Sequence, residues 1–137
     1  MLDFILTLHQ YNVYLVITAA TISGILGIIL YFTKKPVLQL WRIMLIVTLA
    51  LGLLQAAFGL TMVGLGARPG GGGGPYYLHY VYGAIVALGI PLVWLSFSTG
   101  GKDRRKDMLF YSIAMVVMAA AAVRAWMTGD VSFHFLP

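Results

Sequence analysis

Four long apolar stretches, separated by short polar segments, set the pattern of this chain. They cover residues 13–32, 43–67, 77–97 and 108–127. The first two hold no charged residue. The third holds only His79 as a group that titrates near neutrality, and the fourth holds Arg124 near its end. Each is as long as the roughly 20 residues a helix needs to cross a bilayer core of about 30 Å. The stretches do not alternate between apolar and polar positions, as barrel strands would. Lipid leaves the backbone only helices or closed barrels. The pattern therefore predicts an all-α polytopic membrane protein. It would be a single antiparallel four-helix transmembrane bundle over residues 1–137, with helices at about 11–33, 38–67, 76–98 and 106–128.

Small residues recur at three- and four-residue steps and are expected to face the interior, where they let membrane helices approach closely. Helix 1 offers Ala20, Gly24 and Gly27; helix 2 offers Gly52, Ala56, Gly59, Val63 and Gly66; helix 4 offers Ala119, Ala122 and Val123. Pro91 is expected to bend helix 3, because its ring removes a backbone donor. Trp41, Trp94 and Trp126 fall near predicted helix ends, where an interfacial aromatic belt would place them.

Composition agrees with the pattern. The chain is 61% hydrophobic and 9% charged, against about a quarter charged in ordinary globular domains. It has no cysteine, which excludes disulfides, thiolate metal sites and cysteine nucleophiles. It also has no glutamate, and no aspartate lies inside an apolar stretch. That argues against proton-coupled exporters, which need a carboxylate within the membrane, and against hydrolase chemistry. The early sequence lacks the basic residues of a secretory signal peptide; its only charge there is Asp3.

The net charge of +5 sits mostly in loops. Lys34, Lys35 and Arg42 flank the first loop, and Lys102, Arg104, Arg105 and Lys106 the third, leaving only Arg68 and Arg124 for the other face. The positive-inside rule puts those seven residues in the cytoplasm and both chain ends outside. This fits a prokaryotic cytoplasmic membrane better than nucleic acid as the basic residues' partner. The five glycines at 70–74 resemble a phosphate loop only in number, because Pro75 follows where a Walker loop needs Lys and Ser or Thr.

The candidate chemistry lies with three histidines, His9, His79 and His134, all assigned to the outer face. Neutral imidazole is a good ligand for haem iron. Helices 1 and 3 run in the same direction, so His9 and His79 start at similar depth and occupy diagonal positions in an up-down bundle. They could bind the two sides of one haem, with Tyr82 among the tyrosines around His79. The competing reading is that both are interfacial residues hydrogen-bonded to headgroups or tyrosines. Haem propionates call for a counter-charge, which Arg124 and Arg68 could supply. For these arginines the alternative is snorkelling to headgroups or pairing with Asp130 or Asp3. Gln55 is the main polar group deep in helix 2, set either to hydrogen-bond across the bundle or to line a haem or quinone edge. Met62, Met115, Met118 and Met127 read as packing. A metal site built from His9, His79 and His134 is a third arrangement.

The run Leu53-Leu54-Gln55-Ala56-Ala57-Phe58-Gly59-Leu60-Thr61-Met62-Val63, followed by a loop and Leu78-His79-Tyr80-Val81-Tyr82-Gly83-Ala84, resembles half of a haem A synthase. That family has a Gln-x-x-Leu-Gly-type helix, an outer loop, and a helix opening on a haem-ligating histidine. Its preceding helix starts on a histidine where His9 stands here. The resemblance covers helices 1 to 3 and implies that His9 and His79 are axial ligands of one b-type haem. The chain departs from the family in having four helices instead of eight, Gln10 instead of arginine after His9, and no carboxylate beside that histidine. The resemblance therefore implies haem binding without the family's oxidation chemistry.

The expectation is a membrane-bound b-type haem protein, not an enzyme, that carries electrons near the outer face. It would pass electrons between a quinol or membrane enzyme and an external acceptor, with the lipid bilayer, quinone, and a larger membrane electron-transfer complex or homo-oligomer as its partners. The alternative is a cofactor-free accessory subunit of a respiratory or photosynthetic assembly.

Overall fold

The computed structural model describes residues 1–69 and 76–129. The glycine run at 70–74, Pro75, Asp130 and His134 lie outside the described residues. The described chain forms four helices: α1 (Leu2–Phe32), α2 (Gln39–Gly64), α3 (Tyr77–Ser96) and α4 (Arg104–Thr128). All four are long and apolar enough to cross a membrane, and they form the all-α bundle that the pattern predicts.

The helix ends follow from local chemistry. α1 begins nine residues earlier than expected. Asp3 lies in its first turn, where a negative charge favours the helix N-terminus, and Thr7 Oγ1 donates to Asp3 O at 2.8 Å. At the far end, Lys34 takes a left-handed conformation (φ 56°). Lys35 N then donates to Leu30 O at 3.0 Å and Lys34 N to Tyr31 O at 3.2 Å, which closes a Schellman motif ahead of Pro36. The same motif stops α2 before the predicted 67. Gly66 (φ 86°) supplies the left-handed residue, and Ala67 N donates to Met62 O at 2.9 Å. Asp103 caps α4 by accepting from Lys106 N at 3.0 Å. Asp107, buried in the first turn of α4, accepts from Thr99 N at 2.6 Å and Gly101 N at 3.1 Å, which ties down the turn between α3 and α4.

α1 packs against α2 and α4, α3 packs against α4, and the seam between α2 and α3 is the thinnest. α1 and α3 are thus the diagonal, parallel pair. The two basic turns lie at one end, where Arg105 Nη2 donates to Tyr31 O at 2.7 Å across α4 and α1. The histidines lie at the other end.

The half nearer the basic end is closely packed. A Cβ on Gly24 would stand 2.9 Å from Val116 Cγ2 and 3.0 Å from Ser112 O, and one on Gly27 would run into Ser112 Oγ and the Trp41 ring. Trp41 is not part of an interfacial belt. It is 3% exposed, and its indole N–H donates to Ser23 O at 3.0 Å. The missing side chain at Gly27 makes room for the ring. Trp94 is exposed on the outside of the bundle, and Trp126 is half-exposed near the C-terminal end of α4. Of the small residues expected inside, Ala20, Gly24, Gly27, Gly52, Ala119 and Ala122 are buried, whereas Val123 and Gly66 are exposed. Gly66 lies past the end of α2, where it serves the turn, and Val123 lies beside exposed Arg124 on the outward face of α4.

Candidate functional site

The early start of α1 changes the position of His9. It does not precede the helix but sits about two turns inside it, half-buried. Its side chain faces the interior together with Asn12, one turn further on. His79 stands in the first turn of α3, also half-buried. Their ring centroids are 6.2 Å apart, with 50° between the ring planes.

Around them the bundle opens into a cavity of about 1190 Å³, lined from all four helices. That exceeds the roughly 300–1,000 Å³ usual for organic ligands. Its walls are mainly apolar, with Val13, Met62, Val86 and Ala122 among them. Leu60, Leu88 and Tyr80 on its rim are exposed, so the cavity reaches the lipid-facing surface.

Each histidine is held by a different element. His79 Nδ1 lies 2.9 Å from Ala125 O. A carbonyl can only accept, so Nδ1 carries the proton and Nε2 carries the lone pair. Ala125 is in the last turn of α4, and its carbonyl also accepts from Gly129 N at 2.9 Å and from Thr128 Oγ1 at 3.1 Å. Gly129 fits tightly against the same ring; a Cβ there would lie 2.8 Å from His79 Cε1 and 2.9 Å from Nδ1.

His9 is held by amides. Asn12 Nδ2 donates to Leu51 O at 3.0 Å and to Gln55 Oε1 at 2.7 Å. Gln55 Nε2 donates to His9 O at 3.2 Å and faces His9 Nε2 at 3.2 Å. Backbone carbonyls at both ends of this chain of bonds fix both amide orientations. The nitrogen of Gln55 therefore donates to the ring, and His9 Nε2 accepts. The proton is then on His9 Nδ1, which is buried and has no hydrogen-bond partner among the described residues. Opposite the ring, Gly59 leaves space; a Cβ there would lie 3.4 Å from His9 Cε1.

The other expected site residues divide into two groups. Gln55 and Arg68 line the cavity. Arg124 and Tyr82 do not: the Arg124 guanidinium lies 5.9 Å over the Tyr82 ring, and Arg124 Nη1 reaches Met127 Sδ at 3.9 Å on the exposed side. Met115 and Met118 are core residues, while Met62 and Met127 line the cavity. No cluster of three or more His, Cys, Asp or Glu occurs among the described residues. The three-histidine arrangement depends on His134, which lies outside them.

Sequence reasoning missed Asn12, Gly129 and the Ala125 carbonyl. Asn12 was recoverable, because a second amide in an apolar helix at the depth of Gln55 is a natural partner for it. The other two were not, because a backbone carbonyl and a glycine beside a ring carry no residue-type signal.

No family model, curated protein or solved structure matches this chain.

Proposed function

We propose that the chain is a membrane-bound b-type haem protein that carries electrons, with His9 and His79 as the axial ligands of one haem. The observation that supports this best is the pair of imidazoles 6.2 Å apart in the wall of the large apolar cavity. An imidazole nitrogen sits about 2 Å from a first-row metal ion, so two rings facing across one metal have centroids about 6 Å apart. The rings here are 6.2 Å apart. The residues fit such a group in two further respects. The Ala125 carbonyl fixes the tautomer and orientation of His79, as a hydrogen bond to the second nitrogen does for metal-bound histidines. His9 keeps its lone pair on Nε2, the ring nitrogen able to ligate, because the proton is on Nδ1.

When bound, the group would supply a one-electron couple. The chain's residues do the rest. His9 and His79 grip it, the apolar walls exclude water, and Arg68 on the rim offers a cation to its carboxylates. Electrons would arrive from a quinol or a membrane enzyme and leave to an acceptor on the histidine side. By the positive-inside rule the end with the basic turns would face the cytoplasm, and the histidine end the outer side.

Haemin titration of the purified protein in detergent tests this reading. Trp126 lines the cavity, so its fluorescence should be quenched as a Soret band grows, with an end point at about one haem per chain. His79→Ala should abolish both signals. A folded protein that stays colourless throughout would instead favour a cofactor-free accessory subunit.

A further inference from the structure

We propose that the two imidazoles are unequal ligands: His79 is the fixed one, and His9 is displaceable, so that a small external ligand can take its place at the iron. The inference rests on the haem reading above and adds an open coordination position to it.

The inequality lies in where each lone pair points. Ala125 O engages the protonated nitrogen of His79 at 2.9 Å and leaves the lone pair on Nε2 available. No hydrogen bond reaches His79 Nε2 among the described residues. His79 therefore loses nothing by ligating, and the bond to Ala125 persists. Its ring is also hemmed in by Gly129, whose Cα leaves no room for a further carbon.

His9 is in the opposite situation. Its only lone pair accepts from Gln55 Nε2 at 3.2 Å. Gln55 cannot turn its oxygen toward the ring, because that oxygen accepts from Asn12 at 2.7 Å and Asn12 is itself fixed on Leu51 O. His9 must therefore break its bond to Gln55 before it can ligate, and regains it on leaving. One intramolecular hydrogen bond changes such an equilibrium by about tenfold. The cavity that His9 lines gives the ring somewhere to go. Gln55 thus acts as a positioning residue that competes with the iron for His9.

Carbon monoxide binding to the reduced, haem-loaded protein is the test. The wild-type protein is expected to bind it. His9→Ala should bind it more tightly, because nothing need be displaced. Gln55→Leu removes the competitor, so it should raise the six-coordinate low-spin fraction and weaken carbon monoxide binding about tenfold. Gln55→Met is a second variant of similar length, expected to shift both readouts the same way. A haem-loaded wild-type protein that does not bind carbon monoxide would overturn the inference alone. So would Gln55 variants that match the wild type in both spin state and affinity. Failure to take up haem at all would overturn the functional reading beneath it.

Discussion

The two halves of this bundle use small residues for opposite ends. Toward the basic turns, Gly24 and Gly27 bring α1 against Ser112, Val116 and Trp41 with no space to spare. Toward the histidines, Ala56, Gly59 and Gly83 line an open cavity, and a Cβ on Gly83 would meet nothing within 4 Å. The same residue types, on different helices of one bundle, yield close contact at one end and room at the other. Side-chain deletion alone therefore does not decide between packing and a pocket. The bulk of the partner across the gap decides. At the tight end it is the Trp41 indole, and at the open end two imidazoles and a rim of exposed side chains.

Three substitutions probe this contrast. The largest effect is expected from Gly27→Val, whose Cβ would run into Ser112 Oγ and the Trp41 ring. Overpacking of this kind costs about 1–3 kcal/mol or more, and loss of the indole bond to Ser23 O adds to it. The variant should lose its cooperative unfolding transition in detergent. Gly24→Ala should cost less, about 1–2 kcal/mol, because Val116 can turn its Cγ2 away while Ser112 O cannot move. The smallest effect on stability is expected from Ala56→Leu, which projects into the cavity. Its unfolding midpoint should match that of the wild type to within about 0.5 kcal/mol, yet it should take up less haem. A Gly24→Ala variant as stable as wild type, or an Ala56→Leu variant that unfolds like Gly27→Val, would erase the distinction between the halves.

Much of the architecture was legible in the sequence, because four apolar runs of membrane-spanning length leave few alternatives. The meeting of His9 and His79 was also expected, from the parallel course of α1 and α3. What the pattern misplaced were residues whose side chains face inward near a helix end. Trp41 has the position of a belt residue but packs inward on Gly27. His9, Gln10 and Asn12 interrupt the apolar run and so resemble a boundary, although two of them point into the bundle. Arg124 has the position of a propionate partner, yet α4 turns it outward over Tyr82. In each case the rotation of the helix about its axis decides the role. Rotation is set by packing against neighbours, which a single strongly apolar sequence barely encodes.

The measurement that bears most directly on the account is the reduced visible spectrum of the haem-titrated protein, compared with those of His79→Ala and His9→Ala. The account predicts a b-type α-band in the wild-type protein, its loss in His79→Ala, and a weakened, five-coordinate form in His9→Ala. A wild-type protein without the band, or a His79→Ala variant that keeps it at full strength, would contradict the claim that these two rings share one iron.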